Sequence, residues 1–552
     1  MKNSAKNIID GLIMCRMLAI GILCFSLGCS LYAQNGKRRQ TDSRIHLIHS
    51  DVLYKTPRDP RAEILVGNVK LSHEGVFLDC DSARFYREDN SFDAYGHVKM
   101  VQGDTLSLVS DSLFYDGFAL QAHARGDVVL IHRKSKLTTH KLDYDRVYGL
   151  GMYIDGGTLY DADNVLTSNW GQYSPSTREA FFTDNVELKN PKFNLVSDTL
   201  YYYTNTERAK IVSPTNITTS DGTFVYGEAG DYDTKQAKAN LLNRSYIIKD
   251  MRKIEGDSLH YEKETGISEA FGNVILTDDE NLCALKGGYC WYDENTGNAM
   301  ATDMAVAMEF SGPDTMYVHG DTLRMYTYNL DTDSVYRNLY AYNHVRMFRN
   351  DVQGVCDSLV SLQLDSCTYM YGQPILWNEN QQVFGEEIRV YGNDSTVDWV
   401  HIINQAMTIE QVDSVSYNQV SSKEMMCYFK DGEIDHNEAH GNVYVVYFVQ
   451  DDSTIVMVNY SETTELHLYM KEKKMDKIWM PAAKGMFYPA FDVPHDRRYL
   501  SAFAWFDYIR PKDKDDIFVW RGKDAKNILK ATEARKAPIQ NLDVLKGIKQ
   551  KQ

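Results

Sequence analysis

The chain has 552 residues, 43% of them hydrophobic and 12% aromatic, with tyrosine the most abundant aromatic (37 residues) and only 12 prolines. That composition describes an ordered chain rich in strand-favouring side chains and excludes a disordered one. The formal charge of −17 argues against nucleic acid as a partner, because phosphate binding needs a basic face. It does not argue against a lipid, whose acyl chains are read by apolar surface.

The first 33 residues read as a secretory signal peptide. Lys2, Lys6 and Arg16 precede an apolar run from Met17 to Leu31, and Leu31 and Ala33 suit cleavage between Ala33 and Gln34. An uncleaved anchor would need a longer apolar stretch, and lipidation at Cys29 would want a leucine where Ser26 stands. Export would leave Cys80, Cys283, Cys290, Cys356, Cys367 and Cys427 in the mature chain, none spaced as a metal or redox pair. Cys283 with Cys290 and Cys356 with Cys367 are the nearest disulfide candidates, and buried thiols acting as small hydrophobes are the alternative.

After an N-terminal lead over 34–59, which carries His46 and His49 and is expected to be flexible, two short phrases recur with a period of about 30 residues. The first is glycine, a polar residue and valine: Gly67-Asn68-Val69, Gly96-His97-Val98, Gly126-Asp127-Val128. Later copies drift, as in Asp184-Asn185-Val186, Gly272-Asn273-Val274, Asn343-His344-Val345 and Gly441-Asn442-Val443. The second phrase is aspartate, a hydroxyl residue, an apolar residue and, two places on, an aromatic. Examples are Asp81-Ser82-Ala83 with Phe85, Asp111-Ser112-Leu113 with Tyr115, Asp198-Thr199-Leu200 with Tyr202, and Asp257-Ser258-Leu259 with Tyr261.

Around both phrases apolar residues alternate with polar ones at the strand period of two. Turn chemistry punctuates them at Asp221-Gly222, Glu255-Gly256, Asn295-Thr296-Gly297 and Asp431-Gly432. Each repeat is then one hairpin, too small to be stable alone, so the repeats must stack. The expectation is an all-β fold, an elongated stack of antiparallel strands over 60–470. Prolines and aromatics from about Lys471 suggest a C-terminal cap over 471–522 that covers the last open edge, and 523–552 reads as a basic, helical tail.

The phrases typified by Ala270-Phe271-Gly272-Asn273-Val274 and Asp257-Ser258-Leu259-His260-Tyr261 resemble the OstA-like, or LptA-like, family, over roughly residues 60–450. That family includes the periplasmic lipopolysaccharide-transport protein LptA and the N-terminal domain of LptD. The resemblance implies a twisted, open β-jellyroll trough that shelters lipopolysaccharide acyl chains, with room here for two or three consecutive units. It further implies a location in the periplasm or at the periplasmic face of the outer membrane. The partners it implies are lipopolysaccharide or a related envelope lipid and other envelope transport components, joined by edge-strand pairing. No run of amphipathic strands after residue 480 suits an outer-membrane barrel.

Independently of the family, an apolar groove recovers about 0.8 kcal/mol per buried CH₂ of an acyl chain. The candidate groove wall is the set of inward alternates of the early repeats: Val69, Leu71, Phe85, Val98, Met100, Leu113, Tyr115, Val128 and Leu130. The same residues would serve equally as a closed core.

Catalytic signals are weak. His436, Glu438 and His440 share one strand face and could ligate zinc, yet they adjoin the Gly441-Asn442 phrase and read better as solvated rim residues. Gly149, Gly151, Gly156 and Gly157 lack the strand-to-helix unit that dinucleotide binding requires. The chain has no GxSxG, HExxH or P-loop pattern, and its aspartates read as turn formers and edge protection at strand starts. No enzyme and no cofactor is expected. The alternative is a closed β-solenoid acting on polysaccharide as an adhesin or a degrading enzyme, with carboxylates clustered on one strand face.

Overall fold

The computed structural model describes residues 43–392, 397–430, 433–451, 454–471 and 474–521. The signal peptide with its Ala33/Gln34 junction, the Asp431-Gly432 turn and the basic tail lie outside the described residues. These residues form 38 strands, β1 (His46–His49) to β38 (Lys484–Pro489), with antiparallel pairings throughout. The chain divides into two compact units, the first comprising residues up to Lys189 with Tyr201–Asn205, the second Asn190–Leu200 with the chain from Thr206 onward.

Within each unit the long strands are bent, and the bend explains the two phrases. In β5 (Ser91–Gln102) the pairing register shifts between Tyr95 and Val98, and in its partner β4 (Val76–Tyr86) between Asp79 and Ser82. Gly96-His97 and Asp81 therefore meet at one corner. Gly96 and His97 both have positive φ, +73° and +45°. A Cβ on Gly96 would lie 2.4 Å from Asp81 Oδ2, and His97 Nδ1 is 2.7 Å from that same oxygen. The corner recurs as Gly67-Asn68 on Asp51 and Gly272-Asn273 on Asp257, with the asparagine amide donating to the carboxylate at 2.9 and 2.7 Å. A bulge of this kind turns a strand without ending it. These aspartates thus sit at mid-strand corners, while a second set, including Asp116 and Asp233, accepts backbone N–H bonds in the hairpin turns.

The bend gives each unit two walls joined along the corners, with free hairpin ends facing across a mouth. The half-strands that precede the Gly corners make up the first wall, and the half-strands after those corners make up the second. Some crossings are split in two, as in β9 (Leu150–Tyr153) and β10 (Gly157–Asp161). There Gly157 and Gly171 leave room for the ring of Tyr153, which a Cβ on either would approach to 2.7 and 2.6 Å. Packing of that ring is the structural use of this glycine-rich stretch.

Two expectations change. Residues of the N-terminal lead form β1 and β2 (Val52–Thr56), both paired with β3 (Asp59–His73), so His46 and His49 sit on an ordered strand. The segment expected to cap the stack does not cover its last edge. β36 (Thr454–Lys471) pairs with β37 (Lys474–Trp479) and β38, and the chain then turns back as a strap over residues 494–521.

Candidate functional site: an open groove in the second unit

Side-chain size along one register row decides where the interior is full. In the first unit the inner row of the second wall runs Leu71, Leu78, Met100, Leu108, Leu130, Leu137, Leu159, Leu166 and Leu188, each directly opposite the next. These long side chains meet those of the other wall, including Phe85, Leu113 and Tyr115. All nine residues expected to wall a groove, Val69, Leu71, Phe85, Val98, Met100, Leu113, Tyr115, Val128 and Leu130, do face inward. Each is only 0–2% exposed, and the void beside Leu71, Met100 and Tyr115 is about 10 Å³. They form a closed core with no space for an acyl chain.

The mouth of this closed region is laced. In the first unit His73 Nδ1 on the second wall lies 2.8 Å from Tyr115 Oη on the first, and Arg146 donates to both Tyr115 Oη (2.5 Å) and the Glu74 carbonyl (3.2 Å). Farther on, Tyr202 Oη donates to Asp161 at 3.0 Å. In the second unit Lys263 pairs with Asp221 and Glu294, Arg252 with Asp331 at 2.7 Å, and Arg337 with Asp278 at 2.6 Å.

Beyond Arg337 and Asp278 the inner row of the second wall shrinks. From Leu285 it continues as Ala307, Val318, Met347, Gly354, Leu376, Val383, Thr408, Val420, Val445, Ser461 and Gly485. With smaller side chains the walls no longer meet, and a cavity of about 2240 Å³ opens between them. That exceeds the roughly 300–1,000 Å³ of a small-molecule pocket. Its lining mixes aliphatic residues with polar ones, Thr408, Gln411 and Asn437 among them, and carries nine methionines, Met308, Met316, Met325, Met347, Met370, Met425, Met470, Met475 and Met480. Unbranched thioethers adapt to ligands of variable shape. Charged groups lie at the rim, where Arg349 grips Asp351 with two bonds of 2.6 and 2.9 Å. The lining reaches Met475, Ile478 and Phe487 on the last two strands, of which Ile478 and Phe487 are 45% and 62% exposed.

The groove signal missing from the sequence reading lay in the late repeats. Tyr444-Val445-Val446-Tyr447-Phe448-Val449 and Ile375-Leu376-Trp377 are apolar at every position, which marks strands covered on both faces. Val445 stands in the inner register row and Val446 and Phe448 pack with the strap, and all the residues from Val445 to Phe448 border the cavity.

The other sequence candidates lie elsewhere. His436 stacks between Tyr428 and Tyr469, 4.3 and 5.6 Å between ring centroids. Glu438 pairs with His467 at 3.3 Å and His440 with Glu465 at 3.2 Å. All are on the outer face of the first wall, and no group of metal-ligating residues is found among the described residues. The six described cysteines are free thiols. Cys283 and Cys290 lie on one strand, β22 (Cys283–Asp293), seven residues or about 23 Å apart, too far to bridge. Burial pushes the thiols of Cys290 and Cys427 up to about 12 and that of Cys80 to about 11.

A family profile described as OstA-like protein matches residues 42–198. This stretch is OstA-like. A search among curated proteins gave no match. Among solved structures the chain is similar to LptH, described as the LptA homologous periplasmic component of the conserved lipopolysaccharide transport device from Pseudomonas aeruginosa. The identity is 13%, with 24% of this chain and 79% of that chain covered and a TM-score of 0.14. The OstA-like stretch ends well before the open groove, whose lining begins at Asn281.

Proposed function

We propose that this chain is an exported, non-catalytic lipid carrier of outer-membrane biogenesis, sheltering the acyl chains of lipopolysaccharide or a related envelope lipid in the groove of its second unit. The observation that carries the reading is the methionine-lined cavity of about 2240 Å³ in a chain whose N-terminal part is OstA-like. An acyl chain needs only apolar contact, at about 0.8 kcal/mol per CH₂. The rim supplies charged and polar groups for a head group, and partners would add strands at the edge formed by β37 and β38. In this reading the early inner residues, Val69 to Leu130, belong to a closed section whose walls would have to part before a chain could enter.

The test is lipid extraction and native mass spectrometry on protein purified from its own envelope. Bound acyl lipid is expected in the native protein and lost from a groove-filling Thr408→Leu/Val445→Leu variant. Lipid retained by that variant, or absent from the native protein, would contradict the reading. The polysaccharide alternative gains nothing from the outer aromatics. Tyr391, Trp399, Tyr428 and His436 stack ring on ring across neighbouring strands, at 4.1 Å between the first two, which occupies the faces a sugar would use.

A further inference from the structure

We infer that the C-terminal strap, residues 494–521, is the device that holds the groove open, a prop on the outer face of the wall and not a cover. Two extents coincide within the second unit. The cavity lies between walls from Cys283 to Phe487. The strap backs the second wall over nearly the same strands, from Arg498 against Phe448 to Phe518 against His319.

The physical reason lies in the two faces of that wall. A sheet half must bury one apolar face against something. In the first unit the inner leucine row meets the opposite wall, and the outer face is left to solvent, with Lys70 paired to Asp79 and with Phe77, Val109 and Ile131 36–56% exposed. In the second unit, beyond Leu285, the inner row is too small to reach across. Large side chains pack instead with the strap: Trp377, Phe384, Ile409 and Phe448 are 0–3% exposed in one cluster with its Leu500, Phe506 and Ile509, while Trp377, Ile409 and Phe448 also border the cavity. With its packing satisfied from outside, the wall has no need to fall inward.

Buried polar groups fix the strap in register. Gln382, fully buried, donates to the Ala504 carbonyl at 2.8 Å and accepts from Phe506 N–H at 2.7 Å. Gln419 makes the same pair of bonds with the Arg498 carbonyl and Leu500 N–H. Arg346, 1% exposed, donates to the Val519 carbonyl and lies 3.5 Å from Asp516. Such groups are costly to bury unless bonded, and the strap supplies their partners.

The experiment places spin labels at Leu364 and Glu379, exposed turns at the free ends of the two walls, by L364C and E379C in a background with the native cysteines replaced. The distance between them is measured by pulsed electron resonance, and binding of the apolar dye N-phenyl-1-naphthylamine by fluorescence. In the F506D/I509D variant of the full mature chain the labels should move together, toward the roughly 10 Å wall spacing of packed sheets, and dye affinity should fall at least tenfold. Labels and dye binding unchanged, with the strap shown by hydrogen exchange to be released, would overturn the inference. If that variant loses strand protection in the second unit, Q382M carries the test. It removes both backbone bonds but keeps the volume, and should shift part of the distance distribution to the closed form; an unshifted distribution overturns the inference. The inference rests on the proposed groove only for its ligand. Wild-type protein that carries no lipid while its walls still close on strap release would refute the carrier reading and leave the prop intact.

Discussion

The corners of the early repeats depend on a glycine that has no room for a methyl group, at Gly67, Gly96 and Gly126. At Gly96 the backbone is at φ +73° and the Asp81 carboxylate occupies the place of a Cβ. Gly96→Ala should therefore destabilise the first unit by about 1–3 kcal/mol, read as a lowered melting temperature. At the mouth, Arg337 and Asp278 form a pair with side chains 11% and 7% exposed. Arg337→Met leaves the carboxylate buried without its partner and should cost about 3–5 kcal/mol, measured by urea unfolding. The buried thiols set a pH dependence. Cys290 and Cys427 keep their protons to about pH 12 in the folded chain, whereas an unfolded cysteine loses its proton near 8.5. Above about pH 8.5 the unfolded state binds fewer protons than the folded one, so stability should fall as pH rises from there toward 12. Cys290→Ala should reduce that slope, apart from a packing loss that is the same at every pH, and the Cys290 thiol should resist alkylation in native protein at pH 8.

At the scale of strands, much was legible in the sequence. The alternation at Val69, Leu71, Leu113 and Tyr115 marks strands and their inner face, and the recurrence of two phrases marks a repeat. What the spacing does not reveal is that the phrases are two halves of one corner, because Asp81 and Gly96 are brought together only by the pairing of β4 with β5. Nor do inward alternates tell whether they meet an opposite wall or line a space. That depends on side-chain size along a row running across strands, which is distant in sequence. The leucine row of the first unit and the smaller row of the second should respond differently to truncation. Leu130→Ala should cost about 2–5 kcal/mol, since it leaves a cavity in packed surroundings. Leu376→Ala, beside space already open, should fall at or below the bottom of that range, both read from the unfolding transition of the unit concerned.

At the scale of the molecule, the two units share one strand architecture and differ in what their walls pack against. The first buries its inner faces on each other and laces the mouth with polar bridges. The second does the same as far as the Arg337–Asp278 pair and beyond it leaves the inner faces apart, where its own C-terminal segment supplies the missing layer. The late apolar runs at Ile375–Trp377 and Tyr444–Val449 are the sequence trace of that layer, while the aromatic C-terminal segment reads as a cap until its partners are known. The central claim is that acyl chains occupy the second unit. It is tested most directly by photo-crosslinking in the native envelope, with a benzophenone amino acid at Met425 in the groove or at Met100 in the closed core. An acyl-lipid adduct is expected at Met425 and none at Met100. An adduct at Met100 alone, or at neither position, would contradict it.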